Sequence, residues 1–305
     1  CEDCPEQEGK MSEAGRRVSF CGLGNLGAPI CTALVASAHS VQAFDPRSEA
    51  LAPLVALGAL SRSSPADAAR DADVHVVMVR DDAQALACVT GDDGILTSAR
   101  AGSVVVSHST VAPETVTRLA AGCAAAAVGF IDAGISRGAG RPIGKLYAMC
   151  GGAPATIDAV RPVLDVYCSD VVRFGEVGAG MQAKLIRNAL RYAMWGAMYE
   201  GLVLAEAAGL DLAAMAQLYR GTFGMTFDDE VVISRSTMRP VALDDPAAAP
   251  EFVAQMSAAV MLGWKDLDDA FLLADEFGLE LAVARAARPL YGPAMGLALY
   301  ESDHE

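Results

Sequence analysis

Residues 18–27 read VSFCGLGNLG, an apolar run that ends in three closely spaced glycines. The run predicts a buried strand, and the stretch after it, APICTALVAS at 28–37, predicts a helix. Gly22, Gly24 and Gly27 fit the spacing at which a strand turns tightly into a helix and lets a pyrophosphate approach the backbone. The helix N-terminus then offers free N–H groups to phosphate oxygens. The stretch therefore predicts a dinucleotide-binding loop, and a plain glycine-rich turn is the alternative.

An acidic residue follows at the distance expected of a ribose-binding carboxylate. The next strand-like run ends in Asp45-Pro46-Arg47, so Asp45 lies 21 residues after Gly24. In dinucleotide-binding folds, an acid about 20 residues beyond the loop accepts hydrogen bonds from the adenosine ribose. A carboxylate there favours NAD and opposes a 2′-phosphate, although Arg47 and Ser48 suit the phosphate of NADP. A solvated acid in a surface turn is the alternative interpretation of Asp45.

The chain divides into an alternating half and a helical half. From Arg17 to about Gly175, short β-rich runs alternate with alanine-rich helical segments, the pattern of a parallel sheet with helices on its faces. The runs predicted as strands are VSFCGLG, SVQAFD, DVHVVMV, GSVVVSHS, VGFIDAG and LYAMCGG. After Gly178, a stretch without proline runs for about eight helical turns to Gly209 and opens an all-helical region.

These patterns predict an α/β fold, in which a doubly wound parallel sheet of the Rossmann type is followed by an all-α domain that a long interdomain helix opens. We assign residues 1–15 to a disordered tail, 16–178 to the NAD(P)-binding domain and 179–305 to the helical domain. Within the latter, residues 222–250 do not separate into helix and loop. The long helix is apolar and carries Trp195, which predicts burial against a partner domain or subunit.

The composition of the chain limits the classes of binding partner that are expected. The 305 residues carry 23 Lys and Arg against 38 Asp and Glu, a formal net charge of −15, so neither nucleic acid nor an anionic membrane is an expected partner. The longest uncharged stretch, 20–44, contains glycines, Asn25, Pro29 and His39, so no membrane span is predicted. The eight cysteines lie mostly in apolar segments, as in a cytoplasmic protein, and the CxxC pair of Cys1 and Cys4 lies in the tail without a second pair of metal ligands. Small molecules are therefore the predicted partners, and no metal is expected.

Several motifs occur in series. They are GLGNLGAPI, SHSTVAP (107–113), FIDAGISRGAG (130–140), MCGG (149–152), GAGMQAKLIRNAL (178–190) and WKDLDDA (264–270). Together they resemble the β-hydroxyacid dehydrogenase family, which includes 3-hydroxyisobutyrate dehydrogenases and relatives of 6-phosphogluconate dehydrogenase. The resemblance implies a Rossmann domain, a helical domain for substrate binding and dimerisation, and NAD(P)-dependent interconversion of small hydroxy acids with aldehydes or ketones. A homodimer or homotetramer is the expected assembly.

Lys184 and Asn188 lie four residues apart in the long predicted helix and therefore share one of its faces. By the resemblance, Lys184 matches the catalytic lysine of the family and Asn188 its substrate-binding asparagine. A lysine there donates a proton to the oxygen that forms as hydride reaches a carbonyl carbon, or assists proton removal in reverse, while the amide orients the substrate. A surface lysine and an ordinary polar helix residue are the alternative when the pair is taken alone.

Residues 130–140 depart from the family pattern at two positions. Ser136 and Gly138 match the segment that holds the substrate carboxylate, where a hydroxyl and backbone N–H groups bind an anion. Gly134 replaces the usual proline, and Arg137 stands where the family usually has glycine. The guanidinium of Arg137 predicts a substrate with a second or bulkier anionic group, such as a dicarboxylate, sulfonate or phosphate. An arginine turned outward toward a surface acid is the alternative.

Further cofactor contacts follow from the resemblance. Ser109 and Thr110 match a Ser-Thr pair beside the cofactor, although Ser107 replaces the usual aspartate, and Lys265 of a Lys-Asp pair is expected near the nicotinamide. His108 is a candidate general base. Loop histidines are more often solvated or structurally bonded, however, so we do not include it in the predicted catalytic set. The predicted cofactor contacts are Gly22, Leu23, Gly24, Asn25, Leu26, Gly27, Asp45, Arg47, Val79, Ser109, Thr110 and Lys265.

The predicted function is an NAD-preferring oxidoreductase that transfers hydride between the nicotinamide and the hydroxyl-bearing carbon of a small 3-hydroxy acid, with Lys184 as general acid and base. Imine reduction on the same fold is one alternative, although imine-reducing relatives commonly place another residue at the lysine position. A dinucleotide-binding regulatory protein without turnover is a second, and the net charge opposes a DNA-bound form of it.

Replacement of Arg137 by glycine tests the hypothesis of a second anionic group. We expect Arg137→Gly to raise KM for the best doubly anionic substrate by roughly 10- to 100-fold, because a charge-assisted hydrogen bond worth ~1.5–3 kcal/mol is lost. Steady-state kinetics over singly and doubly anionic substrates measures the change. An unchanged KM across anionic substrates, or a wild-type preference for neutral or monoanionic ones, would show Arg137 to be an ordinary surface residue.

Overall fold

A computed structural model describes residues 15–136, 145–224 and 229–300 of the chain. Within these residues, eight strands form one sheet in the order β3-β2-β1-β4-β5-β6-β7-β8. The strands are β1 (Arg17–Cys21), β2 (Ser40–Phe44), β3 (Leu60–Ser61), β4 (Val74–Val77), β5 (Val104–Ser107), β6 (Gly129–Ser136), β7 (Leu146–Gly151) and β8 (Cys168–Gly175). The first six follow the strand order of the dinucleotide-binding doubly wound fold, and the predicted α/β class is confirmed.

Helices cover both faces of the sheet and then continue alone. Those between strands are α1 (Gly27–Val35), α2 (Ser48–Ala56), α3 (Pro65–Ala69), α4 (Asp82–Thr90), α5 (Pro113–Ala125) and α6 (Pro154–Leu164). The long helix α7 (Ala179–Ala207) is followed by α8 (Leu212–Phe223), α9 (Glu230–Ile233), α10 (Pro250–Glu276), α11 (Ala282–Ala287) and α12 (Tyr291–Ala294). None of the helices in the described ranges has both the length and the apolar character that a membrane crossing requires.

The far edge of the sheet differs from the all-parallel prediction. β6 pairs with β7 in antiparallel register, with Ser136 opposite Tyr147, and β7 pairs with β8 in parallel. The nine residues 137–145 between β6 and β7 are too few for the crossover that a parallel pair requires. The sequence pattern predicts neither β3 nor β8, because both are edge strands in which polar and exposed positions interrupt the apolar run.

Two apolar cores lie on opposite faces of the sheet. One contains Phe20, Ile30 and Leu34 and is covered by α1, α2 and α6. The other contains Met181 and Leu185 of α7 and extends from the α3–α5 side of the sheet into the helical region. The long helix is therefore packed against the sheet and the other helices at the same time, as the sequence predicts.

A buried histidine connects three segments of the sheet. His75 of β4 lies between Ser19 of β1 and Ser103, which precedes β5, at Nδ1–Oγ and Nε2–Oγ distances of 2.9 and 3.0 Å. Ser103 donates its own proton to the carbonyl oxygen of Arg100, so His75 donates from Nε2 and accepts at Nδ1. Burial lowers the pKa of His75 to about 4, so the ring is neutral at pH 7.

We expect His75 to make the fold less stable in mild acid. Between its ordinary pKa of about 6.5 and its folded value of about 4, the unfolded chain binds a proton that the folded protein does not. The free energy of unfolding therefore decreases as the pH is lowered, and this group accounts for a loss of ~2 kcal/mol between pH 7 and pH 5. Urea unfolding at pH 7 and pH 5 measures the loss, which should be smaller by that amount in His75→Asn. Equal losses in both proteins would assign the pH dependence to other groups.

Candidate active site

The loop between β1 and α1 has the geometry of a phosphate cradle. Gly22 has a φ of +100°, and a Cβ there would lie 2.2 Å from the carbonyl oxygen of Met78, so the turn requires glycine. A Cβ on Gly27 would lie 2.1 Å from the carbonyl oxygen of Gly22, so α1 starts in close contact with the loop. Gly24 faces open space, and no side chain caps α1 at Leu26. At this end of α1 the backbone N–H of Ala28 donates to the carbonyl oxygen of Gly24 at 3.0 Å, and the absence of a side-chain cap at Leu26 leaves the turn open to phosphate oxygens.

A cleft of about 750 Å³ lies in front of this loop. Asn25 and Leu26 line it from the loop, and Ala254 and Gln255 line it from α10. Its volume is within the range of small-molecule and cofactor sites, about 300–1,000 Å³. The cleft and the loop together fit a dinucleotide.

Asp45 follows the last residue of β2 and is bonded to the same loop. Its Oδ2 accepts a hydrogen bond from the backbone N–H of Leu23 at 2.7 Å, and its Oδ1 accepts one from the backbone N–H of Arg47 at 3.0 Å. The guanidinium of Arg47 also donates to both oxygens. Burial raises the pKa of Asp45, but the hydrogen bonds from Arg47 and Leu23 outweigh burial and hold the pKa below its ordinary value. Asp45 is therefore an ionised carboxylate beside the phosphate cradle.

The loops that follow β4 and β5 meet at the carboxyl ends of the parallel strands, where the glycine loop also lies. The backbone N–H of Val79 donates to Oγ of Ser109 at 2.8 Å, which joins the two loops. The carbonyl oxygen of Thr110 accepts a hydrogen bond from Nζ of Lys265 on α10, also at 2.8 Å. Four of the predicted cofactor contacts are thus brought together, with α10 attached to the Rossmann part of the chain.

The head of α7 is held by a buried carboxylate of β6. Asp132 accepts hydrogen bonds from the backbone N–H groups of Gly178 and Met181 at 2.7 and 2.6 Å. Burial raises the pKa of Asp132, and these hydrogen bonds oppose that rise. The contact ties the start of the long helix to the strand that ends at Ser136.

Lys184 reaches from α7 back to the end of β6. Its Nζ donates to the carbonyl oxygen of Ile135 at 2.7 Å, one residue before Ser136. Its aliphatic stem lies on the backbone of Gly134, where an added Cβ would be 2.6 Å from Cβ and 3.0 Å from Cγ of the lysine. The missing side chain at position 134 therefore allows the stem to lie flat along the strand.

Asn188 lies one turn further along α7 and is fully engaged with its neighbours. Its Nδ2 donates to Oδ2 of Asp266 at 2.8 Å, and its Oδ1 accepts from Nη1 of Arg187 at 3.0 Å. The hydroxyl of Tyr192 donates to the same oxygen of Asp266 at 3.0 Å. These partners hold the amide of Asn188 in one orientation.

Lys265 is a half-buried side chain that connects α10 to the loop after β5. Its Nζ lies 3.2 Å from Oδ1 of Asp266 and 2.9 Å from Oδ2 of Asp269. Burial lowers the pKa of Lys265, but the two carboxylates outweigh burial and hold the pKa above its ordinary value. The ammonium therefore stays charged while it holds the carbonyl oxygen of Thr110.

His108 is bonded inside the protein. Its Nδ1 lies 2.6 Å from the carbonyl oxygen of Ala133, and its Nε2 lies 2.8 Å from the hydroxyl of Tyr167. Because the carbonyl only accepts, the ring donates from Nδ1 and accepts at Nε2. Burial lowers the pKa of His108 to about 4 against the opposing effect of the Ala133 hydrogen bond. The imidazole is neutral, and both of its nitrogens are used.

The predicted site residues that the structure describes lie at the carboxyl ends of the parallel strands and on the facing sides of α7 and α10. Arg137 and Gly138 lie outside the described residues, as does most of the predicted tail. Sequence reasoning missed Asp132 and Asp266, which hold the head of α7 and the amide of Asn188. Each lies inside a motif that carries the resemblance: Asp132 is the one acid in the apolar stretch FIDAG, whereas Asp266 is one of three acids in WKDLDDA.

Two family models match adjoining parts of the chain. The NAD binding domain of 6-phosphogluconate dehydrogenase matches residues 17–177. The NAD-binding region of NADP-dependent 3-hydroxyisobutyrate dehydrogenase matches residues 178–305. The two matches meet within the turn that leads into α7.

Individual relatives agree with these matches. An uncharacterized oxidoreductase of Mycobacterium tuberculosis is 33% identical over 290 residues, 95% of this chain and 96% of that protein. A 3-hydroxyisobutyrate dehydrogenase of Pseudomonas aeruginosa is 31% identical over 208 residues, 68% of this chain and 70% of that protein. The crystal structure of 3-hydroxyisobutyrate dehydrogenase from Salmonella typhimurium superposes with a TM-score of 0.76 at 25% identity, covering 90% of this chain and 93% of that one. The chain therefore belongs to the β-hydroxyacid dehydrogenase family of NAD(P)-dependent oxidoreductases.

Proposed function

We propose that this enzyme interconverts a small 3-hydroxy acid and its semialdehyde or ketone by hydride transfer, with NAD as the preferred cofactor. The observation that carries the proposal is the pairing of Lys184 and Asn188 on one face of α7, with the ammonium bonded to the end of β6 and the amide held by Asp266. The dehydrogenase relatives support the substrate class. The match to 3-hydroxyisobutyrate dehydrogenases also favours C=O chemistry over the reduction of imines.

The residues present fit the cofactor. When bound, NAD(P) supplies the hydride chemistry. The backbone of residues 22–27, including Leu23, Asn25 and Leu26, would hold the pyrophosphate, and Asp45 with Arg47 would face the adenosine ribose. The groups assigned to the nicotinamide end are Val79, Ser109, Thr110 and Lys265.

The substrate is positioned by side chains on both sides of the cleft. Ser136, with Arg137 and Gly138, is assigned to its carboxylate. Asn188 donates its second N–H to the substrate oxygen at the reacting carbon. Lys184 gives a proton to that oxygen during reduction and takes it back during oxidation. In this arrangement the protein orients the substrate and transfers one proton, while the cofactor carries the hydride.

A turnover screen tests the proposal. Absorbance at the NADH band is followed with a panel of 3-hydroxy acids, singly and doubly anionic, with NAD and with NADP. Turnover with hydroxy acids supports the assignment, whereas turnover confined to imines would support C=N reduction. Tight dinucleotide binding with no turnover of either class would favour a regulatory protein.

We also propose a homodimer or homotetramer in the cytoplasm. Ile186, Leu190 and Met194 are exposed at four-residue spacing along α7, which leaves an apolar stripe for a second subunit. The six cysteines within the described ranges are buried free thiols, which suits a reducing compartment.

Removal of the Lys184 ammonium tests its role in the chemical step. Lys184→Ala should lower kcat by roughly 100-fold or more and leave dinucleotide affinity nearly intact, because the ammonium acts on the reacting oxygen. Steady-state kinetics and calorimetric dinucleotide binding measure the two effects. Activity within a few-fold of wild type would remove Lys184 from the mechanism, and a parallel loss of dinucleotide binding would indicate a structural role.

The contact between Gly134 and the lysine stem predicts a second kinetic defect. Gly134→Ala places a Cβ 2.6 Å from Cβ of Lys184, close to the helix backbone, so α7 or the strand must shift. A misplacement of up to about 1 Å lowers kcat by roughly 10- to 100-fold. In the Lys184→Ala background the same substitution should lower kcat by less than in the wild type, because the ammonium that it misplaces is absent, although the contact with Cβ remains.

Gly129→Ala is the matched control for Gly134→Ala. Gly129 begins the same strand, and its added Cβ would lie 3.1 and 3.2 Å from the methyl ends of Val104 and Thr156 and 3.6 Å from the carbonyl oxygen of Ser103. We expect near wild-type kcat for this variant. If both alanine variants lose activity equally, or if the losses from Gly134→Ala and Lys184→Ala add in full, strand β6 is sensitive to volume in general and Gly134 has no special relation to the lysine.

A further inference from the structure

The carboxylate of Asp45 has its hydrogen-bonding positions filled. Oδ2 accepts from the backbone N–H of Leu23 at 2.7 Å and from Nη2 of Arg47 at 3.1 Å. Oδ1 accepts from the backbone N–H of Arg47 at 3.0 Å and from its Nε at 2.9 Å. An ionised carboxylate offers about four lone-pair positions. Four donors occupy them here.

Two of these four donors cannot move without the backbone. The N–H groups of Leu23 and Arg47 belong to the glycine loop and to the turn before α2. The other two form the fork of the Arg47 guanidinium, which binds both carboxylate oxygens at once. A ribose diol also needs one acceptor position on each oxygen, so the fork stands where the adenosine ribose of NAD has to bind.

The side chain of Arg47 can rotate away into solvent, whereas the side chain of Asp45 is held in place. The Asp45 side chain is 4% exposed, whereas the Arg47 side chain is 55% exposed. Among the described residues, the Arg47 guanidinium has one further hydrogen-bond acceptor besides the carboxylate, the carbonyl oxygen of Leu23 at 3.3 Å. The guanidinium is half exposed, so water can solvate it when it rotates away, and the backbone N–H groups of Leu23 and Arg47 remain bonded to the carboxylate.

We propose that Arg47 masks Asp45 and thereby lets this enzyme use both NAD and NADP. In the masked state the guanidinium competes with the ribose diol of NAD and cancels the negative charge that would repel a 2′-phosphate. Turned away from Asp45, the same guanidinium offers a planar fork to the phosphate oxygens of NADP. The proposal rests on the dinucleotide-dependent function and limits the NAD preference that Asp45 alone would give.

Binding of reduced dinucleotides tests the mask without turnover. Isothermal titration calorimetry with NADH and with NADPH should give wild-type dissociation constants within about tenfold of each other. Arg47→Ala should tighten NADH by about 2- to 5-fold, the scale of an exposed ion pair. The same variant should weaken NADPH by roughly 10- to 100-fold, the scale of lost charge-assisted hydrogen bonds. Asp45→Asn should act in the opposite sense on both ligands.

A second arginine variant and a remote one complete the design. Arg47→Gln retains most of the side-chain length without the charge, so it repeats the test if alanine disturbs the turn. Arg161→Ala removes an equivalent half-exposed arginine that faces Asp158 on α6, away from the glycine loop, and should leave both dissociation constants unchanged. This control separates a local effect from the change in net charge.

Equal weakening of NADH and NADPH in both Arg47 variants, or an unchanged ratio of their dissociation constants, overturns the mask. A wild type that binds one dinucleotide more than about a hundredfold better than the other overturns it as well. A wild-type protein that binds neither dinucleotide contradicts the proposed function itself, which is a different result. Tighter NADH together with weaker NADPH establishes the mask.

Discussion

The carboxylate of Asp132 sets the position of the longest described helix, and the proposed chemistry depends on that helix. A helix begins with N–H groups that lack partners within it, and a negative charge there also meets the positive end of the helix dipole. Asp132 satisfies two of these groups from the middle of the sheet. Gly180 permits the close approach, because a Cβ there would lie 2.4 Å from the carbonyl oxygen of Met149. Lys184 is three residues beyond Met181, so this contact also determines where the ammonium arrives.

From α7 a series of polar contacts returns to the sheet. Asn188 binds Asp266, Asp266 pairs with Lys265, and Lys265 holds the carbonyl oxygen of Thr110 in the loop after β5. Buried charges of this kind add little net stability, yet the loss of one partner leaves another unpaired at a cost of about 3–5 kcal/mol. The series therefore serves orientation more than stability: it fixes the amide of Asn188, which we assign to the substrate, and the loop after β5, which we assign to the nicotinamide, in one arrangement.

Local patterns were enough to predict the glycine loop and the long helix, since spacing along the chain determines both. Contacts between distant residues were not predictable in this way. Asp132 meets the head of α7 at separations of 46 and 49 residues, and His108 meets Tyr167 at 59. The saturation of Asp45 by Arg47 involves neighbours in sequence, but it depends on side-chain direction, which spacing does not specify. The reversed strands β7 and β8 depend on pairing at the sheet edge.

In the proposed reaction, proton transfer falls to a lysine although an imidazole lies nearby. Both nitrogens of His108 are bonded inside the protein, and burial lowers its pKa to about 4, so it neither faces a substrate nor carries a proton to give. Lys184 is bonded to the carbonyl oxygen of Ile135, which is a neutral acceptor. An alkoxide that forms as hydride arrives is a stronger acceptor than that carbonyl. In the proposed mechanism, the ammonium would therefore interact more strongly with the substrate as negative charge develops, and this selective interaction with the transition state would lower the barrier.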